Sequence, residues 1–327
     1  MAALGEFDLI RRFFERPGRA GTAVLGVGDD CALLAPAAGA LAVSTDMLVA
    51  GRHFFPDVDP ESLGHKALAV NLSDLAAMGA RPLGFTLALA LPEVDEAWLE
   101  GFARGLFALA DASGCELVGG DTTRGPLNLC ITVFGEVPPA EALRRDRARV
   151  GDDIWVSGTL GAAAWAVADR SEGLLPADAG HRAQAIACLE RPQPRLALGQ
   201  ALKGLAGAAI DLSDGLAGDL QHILDRSAGT GPGQLGARLE WPRIPCHPVL
   251  DAVSDERRRA LALAGGDDYE LLFCAPVSAR EPIMALSARL GLALSRIGRI
   301  EPIAGLRLLD ANGLELAFDA RSFDHFR

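Results

Sequence analysis

The sequence predicts two domains of α/β or α+β class, each with mixed sheets flanked by helices. The chain has 327 residues, of which 50% are hydrophobic, and this is enough for two buried cores. In each half, short apolar runs typical of strands are mixed with amphipathic segments typical of helices. Between the halves, a polar, arginine-rich stretch begins at Pro138-Pro139 and ends near Arg149. We therefore predict domains at residues 1–138 and 150–327.

The first half contains apolar runs that predict strands and two segments that predict helices. The helix from Pro60 to Met78 has Asp59 as a candidate N-cap and Gly79 as a stop signal. A second, amphipathic helix runs from Asp95 to Ala112 and is closed by Gly114. The predicted strands are Ala23–Val27, Leu41–Ser44, Phe85–Leu91, Glu116–Val118 and Leu127–Val137.

The second half repeats this mixture. After its first strand, the turn Gly158-Thr159-Leu160-Gly161 opens an alanine-rich helix, and a later helix is expected to be capped at Ser213 or Asp214. The predicted strands are Asp153–Ser157, Ala208–Leu212, Glu270–Cys274 and Ile297–Glu301.

Composition excludes several classes of function. The net charge of -12 argues against a nucleic-acid partner, which needs a basic surface. No apolar run is long enough to span a bilayer, so no membrane role is expected. The 6 cysteines are scattered without a C-x-x-C pair. They are typical of reduced thiols in a cytoplasmic protein and give no structural zinc site.

Aspartates recur after apolar runs, at helix edges and in glycine-flanked turns. Strand ends in mixed sheets direct side chains into shared crevices, where converging carboxylates repel unless cations neutralise them. Oxygen ligands with neighbouring hydroxyls (Ser44, Thr45, Ser213) suit Mg²⁺. For any one aspartate taken alone, a surface turn is the favoured explanation, but the recurrence of so many after apolar runs weakens it. The aspartates are Asp29, Asp30, Asp46, Asp74, Asp121, Asp211 and Asp214.

Three further features bear on ligand binding. Asp74 shares a helix face with Asn71, as a metal ligand or as half of a buried hydrogen-bonded pair. The glycine-rich segment Val118–Gly125 follows a strand and favours either a phosphate-binding loop or a tight hairpin. His53 lies beside aromatic residues, where it contacts substrate or packs in the fold. Since Walker A and G-x-G-x-x-G motifs are missing, a nucleotide would be held through Mg²⁺ and arginine.

Six motifs stand in an order that is specific to one family: Gly26–Ala32, Ser44–Val49, Asn71–Ala80, Gly119–Gly125, Asp211–Leu216 and Gly266–Leu271. They closely resemble the thiamine-monophosphate kinases of the aminoimidazole-ribonucleotide-synthetase-like superfamily. The resemblance implies direct in-line transfer of the ATP γ-phosphate to thiamine monophosphate, assisted by several Mg²⁺ ions. It also implies a homodimer whose N-terminal sheets join, and a site in the cleft between domains.

The resemblance also implies residue roles. Catalysis would involve Asp74, Asp121 and Asp211 through Mg²⁺, together with Arg145. ATP would contact Gly120, Asp121, Arg145 and Ser213, and the thiamine substrate His53, Asp267 and Phe323. The implied Mg²⁺ ligands are Asp30, Ser44, Thr45, Asp46, Asp74, Asp121, Asp211 and Asp214.

The sequence departs from the family pattern at two places. Asp267 stands where the family usually has Glu, and no aromatic residue lies near Ala112-Ser113 to stack on adenine. Three alternatives remain: a related ATP-dependent synthetase, a non-catalytic nucleotide- or thiamine-binding protein, and a metal-dependent phosphatase. The first is disfavoured because neither Lys nor Cys precedes Cys31, and the last because no histidine cluster exists.

Overall fold

The computed structural model describes residues 12–14, 23–25, 33–34, 39–173, 175–228 and 234–318. By their contacts the residues divide into two compact units. The first comprises Met1–Leu75 and Ala80–Ala140, and the second comprises Ala76–Gly79 and Glu141–Arg327. This division supports the domain boundary that we propose between residues 138 and 150.

The first unit contains a two-stranded antiparallel sheet and a four-stranded mixed sheet in the order β3-β6-β4-β5. Strands β4 and β5 are parallel, whereas β6 is antiparallel to both β3 and β4. The strands are β1 (Ala23–Leu25), β2 (Leu33–Leu34), β3 (Ala40–Val49), β4 (Arg81–Leu91), β5 (Glu116–Arg124) and β6 (Asn128–Val137). The helices are α1 (Pro60–Ala77) and α2 (Glu96–Ser113).

Both helices begin and end where the sequence signals predict. The Asp59 carboxylate accepts a hydrogen bond from the Ser62 N–H at 2.9 Å, and Asp95 caps α2 in the same way. The two helices touch through their backbones. A Cβ on Gly64 would lie 2.0 Å from the Phe102 carbonyl oxygen, and one on Gly105 would lie 1.8 Å from that of Glu61. Any side chain at either glycine would therefore force α1 and α2 apart.

Two sequence expectations for this unit are wrong. Strand β3 continues to Val49, so Ser44, Thr45 and Asp46 lie within the strand, not at its end. The segment predicted as a glycine-rich loop is itself strand β5, which pairs with β4 along its whole length. Pairing with a long neighbouring strand holds these polar and glycine residues extended, against their local preference for turns.

The second unit is built on a seven-stranded mixed sheet in the order β13-β12-β9-β11-β7-β10-β8. Its strands are β7 (Asp153–Ser157), β8 (Ala208–Asp211), β9 (Gly236–Glu240), β10 (Leu271–Ala275), β11 (Leu294–Glu301), β12 (Gly305–Leu309) and β13 (Glu315–Leu316). Its helices are α3 (Ala162–Glu172), α4 (Ala179–Glu190), α5 (Leu196–Ala201), α6 (Leu216–Ala228), α7 (Asp255–Ala264) and α8 (Arg280–Leu290).

A core cluster lies on one face of this sheet. Trp155 and Phe273 stack at 6.3 Å between ring centroids, and Leu198, Leu202 and Ile283 pack into the same cluster. The predicted fold class, mixed sheets flanked by helices, is confirmed. Within the described ranges, no helix has the length and apolar character needed to cross a membrane.

Candidate functional site

An acidic cluster in the first unit is formed by β3 and α1. Alternation along β3 turns Ser44 and Asp46 to the same face, and α1 presents Asn71 and Asp74 to them. The Ser44 hydroxyl donates to Asp74 Oδ2 at 2.5 Å, and Asn71 Oδ1 accepts from the Asp46 N–H at 3.1 Å. The structure therefore brings together three of the predicted metal ligands, Ser44, Asp46 and Asp74.

The electrostatics of the acidic cluster favour a cation. Burial, and to a smaller extent the negative charge of Asp74, raises the pKa of Asp46 to about 7. Hydroxyl, amide and carboxylate oxygens are the donors that Mg²⁺ prefers, so these residues fit that ion. Among the described residues, however, no group of three or more His, Cys, Asp or Glu side chains could by itself hold a metal. Asp30, a further predicted ligand, lies outside the described residues.

Two other predicted site residues follow the same strand. Thr45 points to the opposite face of β3, where its hydroxyl lies 2.8 Å from that of Thr132, so its side chain does not join the acidic cluster. His53 lies just after the strand, and its Nδ1 accepts a hydrogen bond from the Val49 N–H at 3.0 Å. The neutral imidazole therefore carries its proton on Nε2.

Strand β5 borders a small pocket. Gly120 is required there, because a Cβ would lie 1.9 Å from the Leu87 carbonyl oxygen. The side chain of Asp121 is exposed, and Arg124 donates to the Pro92 carbonyl at 3.2 Å. The pocket is lined by Phe14, Leu87, Leu117, Gly119, Gly120, Asp121 and Thr122. The pocket therefore contains an aromatic side chain, Phe14, although the sequence has no aromatic residue near Ala112-Ser113.

In the second unit, Asp211 ends β8 and is buried, and Ser213 and Asp214 form the turn that leads into α6. Both backbone N–H groups of this turn donate to Asp219 Oδ2, each at 3.1 Å. Burial is the main reason that the pKa of Asp219 rises to about 7, while Arg145 and the two donors act in the opposite direction.

Arg145 lies in the segment that precedes β7, and its side chain is exposed. Its carbonyl oxygen accepts a hydrogen bond from the Ser227 hydroxyl at 3.0 Å, and the same hydroxyl accepts from the Ala148 N–H at 3.0 Å. The predicted ATP contact therefore comes from a segment whose main chain is fixed to α6.

The turn before β10 holds Asp267 in an unusual backbone conformation. Asp267 and Tyr269 have positive φ angles of 68° and 48°. Aspartate tolerates this left-handed region better than most residues, which suits Asp at a position where the family usually has Glu. The Asp267 N–H donates to the Ser213 carbonyl at 2.9 Å, and that of Tyr269 to the Leu212 carbonyl at 2.8 Å. Asp267 therefore lies beside the Ser213–Asp214 turn.

The sequence did not predict that two further acids beside this turn, Asp268 and Glu270, hold distant parts of the chain. Asp268 accepts from the Gly161 N–H at 2.9 Å, and burial raises its pKa well above the usual value. Glu270 accepts from the Ser157 hydroxyl at 2.5 Å and also accepts from Nε and Nη2 of Arg195. Their motif is visible in the sequence, but their partners lie far away in the chain. Phe323 lies outside the described residues.

Comparison with known proteins identifies the family. Residues 28–137 match the family model "AIR synthase related protein, N-terminal domain". The chain is 47% identical, over 99% of both chains, to thiamine-monophosphate kinase of Escherichia coli K12. The chain belongs to the thiamine-monophosphate kinase family. This confirms the family resemblance that the six sequence motifs indicated.

Solved structures of the thiamine-monophosphate kinase family agree with this assignment. The enzyme from Stenotrophomonas maltophilia superposes with a TM-score of 0.83 at 46% identity, covering 88% of this chain and 92% of that one. A structure described as AaThiL complexed with AMPPCP and TMP gives a TM-score of 0.75 at 27% identity, covering 98% and 96% of the two chains.

Proposed function

We propose that this chain transfers the γ-phosphate of ATP to thiamine monophosphate, giving thiamine diphosphate and ADP. The observation that carries the proposal is the match to a thiamine-monophosphate kinase at 47% identity over almost the full length. The related structure with AMPPCP, an ATP analogue, and TMP supports the same pair of substrates. The acidic cluster and the glycine-containing strand β5 supply the groups that such a reaction needs.

The chemistry places few covalent demands on the protein. The acceptor oxygen of a phosphate monoester is already anionic near neutral pH, so no general base is needed. The difficulty is to hold two anions together and in line. When bound, Mg²⁺ would neutralise phosphate charge. We assign Asp46 and Asp74 as ligands of such ions, and we keep Asp30, Asp121, Asp211 and Asp214 as the further ligands that the family resemblance implies.

The remaining residues orient and bind. The Ser44 hydroxyl fixes one oxygen of Asp74, and Asn71 fixes the backbone of Asp46. Gly120 lets a ligand approach the backbone of β5, and we place the nucleotide base against Phe14 in the adjoining pocket. Arg145 and the Ser213 hydroxyl would bind phosphate oxygens. His53 and Asp267 would bind the thiamine substrate, and the protonated Nε2 makes His53 a donor.

A homodimer is part of this proposal, and the outer face of β3 supports it. This edge strand exposes large apolar side chains, with Val43 and Met47 each 55% exposed. We expect Val43→Asp to convert a dimer into a monomer, measured by sedimentation velocity. A wild-type chain that sediments as a monomer would contradict the dimer and leave the kinase activity open. We also infer a cytoplasmic location, in keeping with scattered cysteines.

The substrate assignment is tested by direct product analysis. Purified protein is incubated with ATP, Mg²⁺ and thiamine monophosphate, and the products are separated by chromatography. We expect equal amounts of thiamine diphosphate and ADP, and no thiamine phosphate when free thiamine replaces the monophosphate. Release of inorganic phosphate without thiamine diphosphate would favour a phosphatase and overturn the proposal.

A further inference from the structure

Helix α6 contacts two separate segments that carry predicted ATP-binding residues. We propose that Asp219 and Ser227 are positioning residues, through which α6 holds the Ser213–Asp214 turn and the Arg145 segment in a fixed relation. This inference rests on the proposed kinase function, because it concerns how that site is kept in order.

Asp219 acts on the turn. Asp219 is only 2% exposed, and its Oδ2 accepts hydrogen bonds from both the Ser213 N–H and the Asp214 N–H, each at 3.1 Å. With both donors directed at one buried oxygen, the turn has little rotational freedom, and the side chains of Ser213 and Asp214 leave it in fixed directions. The anchor is the geometry of this oxygen, which an amide oxygen at the same position can reproduce.

Ser227 acts on the other segment. It is 4% exposed, and its hydroxyl bonds both the Arg145 carbonyl and the Ala148 N–H at 3.0 Å. The residues around Arg145 belong to no helix or long strand, so contacts of this kind decide where the chain runs. A second contact, from the Ala209 N–H to the Arg144 carbonyl at 3.1 Å, fixes the same segment to β8.

The two anchors share one rigid element. Asp219 and Ser227 stand eight residues apart on the buried face of α6, which also carries Leu220, Ile223 and Leu224. Eight residues of α-helix span about 12 Å, and a packed helix keeps that distance constant. Loss of Asp219 should therefore disturb metal and nucleotide binding, and loss of Ser227 nucleotide binding alone.

The test compares two variants at Asp219. Asp219→Ala removes the acceptor, whereas Asp219→Asn keeps an oxygen that can accept both N–H groups. We expect Asp219→Ala, which removes both hydrogen bonds, to raise the KM for ATP and the Mg²⁺ concentration at half-maximal rate by about tenfold. Asp219→Asn should recover most of this loss. Asp225→Ala is the matched control, because Asp225 is an exposed acid of the same helix whose Oδ1 accepts from Gln221 Nε2 at 2.7 Å.

Ser227→Ala provides the second arm. It should raise the KM for ATP several-fold and weaken equilibrium binding of ATP, measured by calorimetry, without changing the Mg²⁺ requirement or the KM for thiamine monophosphate. If Asp219→Ala does not fold, as judged by circular dichroism, Asp219→Asn and Ser227→Ala still decide the matter.

Three outcomes would overturn the inference. One is a lowered melting temperature with unchanged KM and Mg²⁺ dependence in both alanine variants. Another is an Asp219→Asn enzyme as impaired as Asp219→Ala, and the third is a Ser227→Ala enzyme with wild-type ATP affinity. Failure of the proposed function would look different, because the wild-type protein itself would then form no thiamine diphosphate.

Discussion

The acidic side chains of the two units are held in different ways. In the acidic cluster, Asp46 and Asp74 face each other, and burial with like charge raises the pKa of Asp46 to about 7. In the second unit, Asp219 and Asp268 accept backbone N–H groups, and Glu270 pairs with Arg195. The first arrangement is suited to an added cation, whereas the second uses protein donors to shape turns. The experiments below separate these two uses of a carboxylate.

The largest effect is expected from Asp74→Asn. Removing its charge should lower kcat by at least about two orders of magnitude, comparable to the loss of one preorganised electrostatic contact. The folded protein should keep its stability, because a repulsive pair is relieved. Turnover is measured over a range of Mg²⁺ concentrations, with Glu93→Gln, an exposed acid after β4, as the control. Near-normal turnover at saturating Mg²⁺ would remove Asp74 from the metal-binding set.

Glu270→Gln should act on stability and leave the Mg²⁺ requirement unchanged. The Glu270 side chain is 7% exposed and that of Arg195 is 25% exposed. Breaking such a pair leaves a poorly compensated charge, so we expect the free energy of unfolding to fall by about 2 to 3 kcal/mol in urea titrations. The exposed pair Arg257–Glu172 is the control, and Glu172→Gln should cost about 0.5 kcal/mol. A changed Mg²⁺ requirement in Glu270→Gln would contradict the assignment of Glu270 to a purely structural role.

The smallest effect concerns pH and the metal-free protein. The pKa of Asp46 is raised from 3.8 to about 7 on folding, so the folded state binds more protons than the unfolded state. Stability should therefore be highest below the unfolded pKa and fall as pH rises towards 7. In EDTA, raising the pH from 5 to 7 should lower the free energy of unfolding by about 2 kcal/mol through the carboxyl group of Asp46.

Denaturant titrations at several pH values measure this loss. Asp46→Asn should flatten the profile, and added Mg²⁺ should restore stability to the wild type more than to the variant. An identical slope in the two proteins would show that the carboxyl group of Asp46 is not the source of the pH dependence. The slope that remains in the variant is expected to contain the share of Asp219.

Local signals in the sequence predict the parts of the fold that depend on neighbouring residues. Asp59 and Asp95 cap the helices that they were expected to cap, and strand β7 has the predicted bounds. Strand β5 was missed because glycine favours turns locally, and only its pairing with β4 extends it. That pairing joins residues more than 30 positions apart, which a local pattern cannot indicate.

The candidate site shows the same limit. The sequence indicates Ser44, Asp46 and Asp74 as a group, and the structure brings these three together. It does not indicate that Asp219 holds the turn of Ser213, or that Glu270 meets an arginine 75 positions away. The chemistry of an acid depends on its partner, and the partner is set by the fold. The roles of Arg145, Asp211, Asp214 and Asp267 stay predictions.

The left-handed turn before β10 has a practical consequence for spectroscopy. Tyr269 is the single tyrosine of the chain and has a positive φ beside Asp267. Biosynthetic incorporation of 3-fluorotyrosine would therefore place one ¹⁹F nucleus in the protein, within two residues of the proposed thiamine contact. Its single resonance would report separately on nucleotide and on thiamine monophosphate as each is added, without any substitution in the chain.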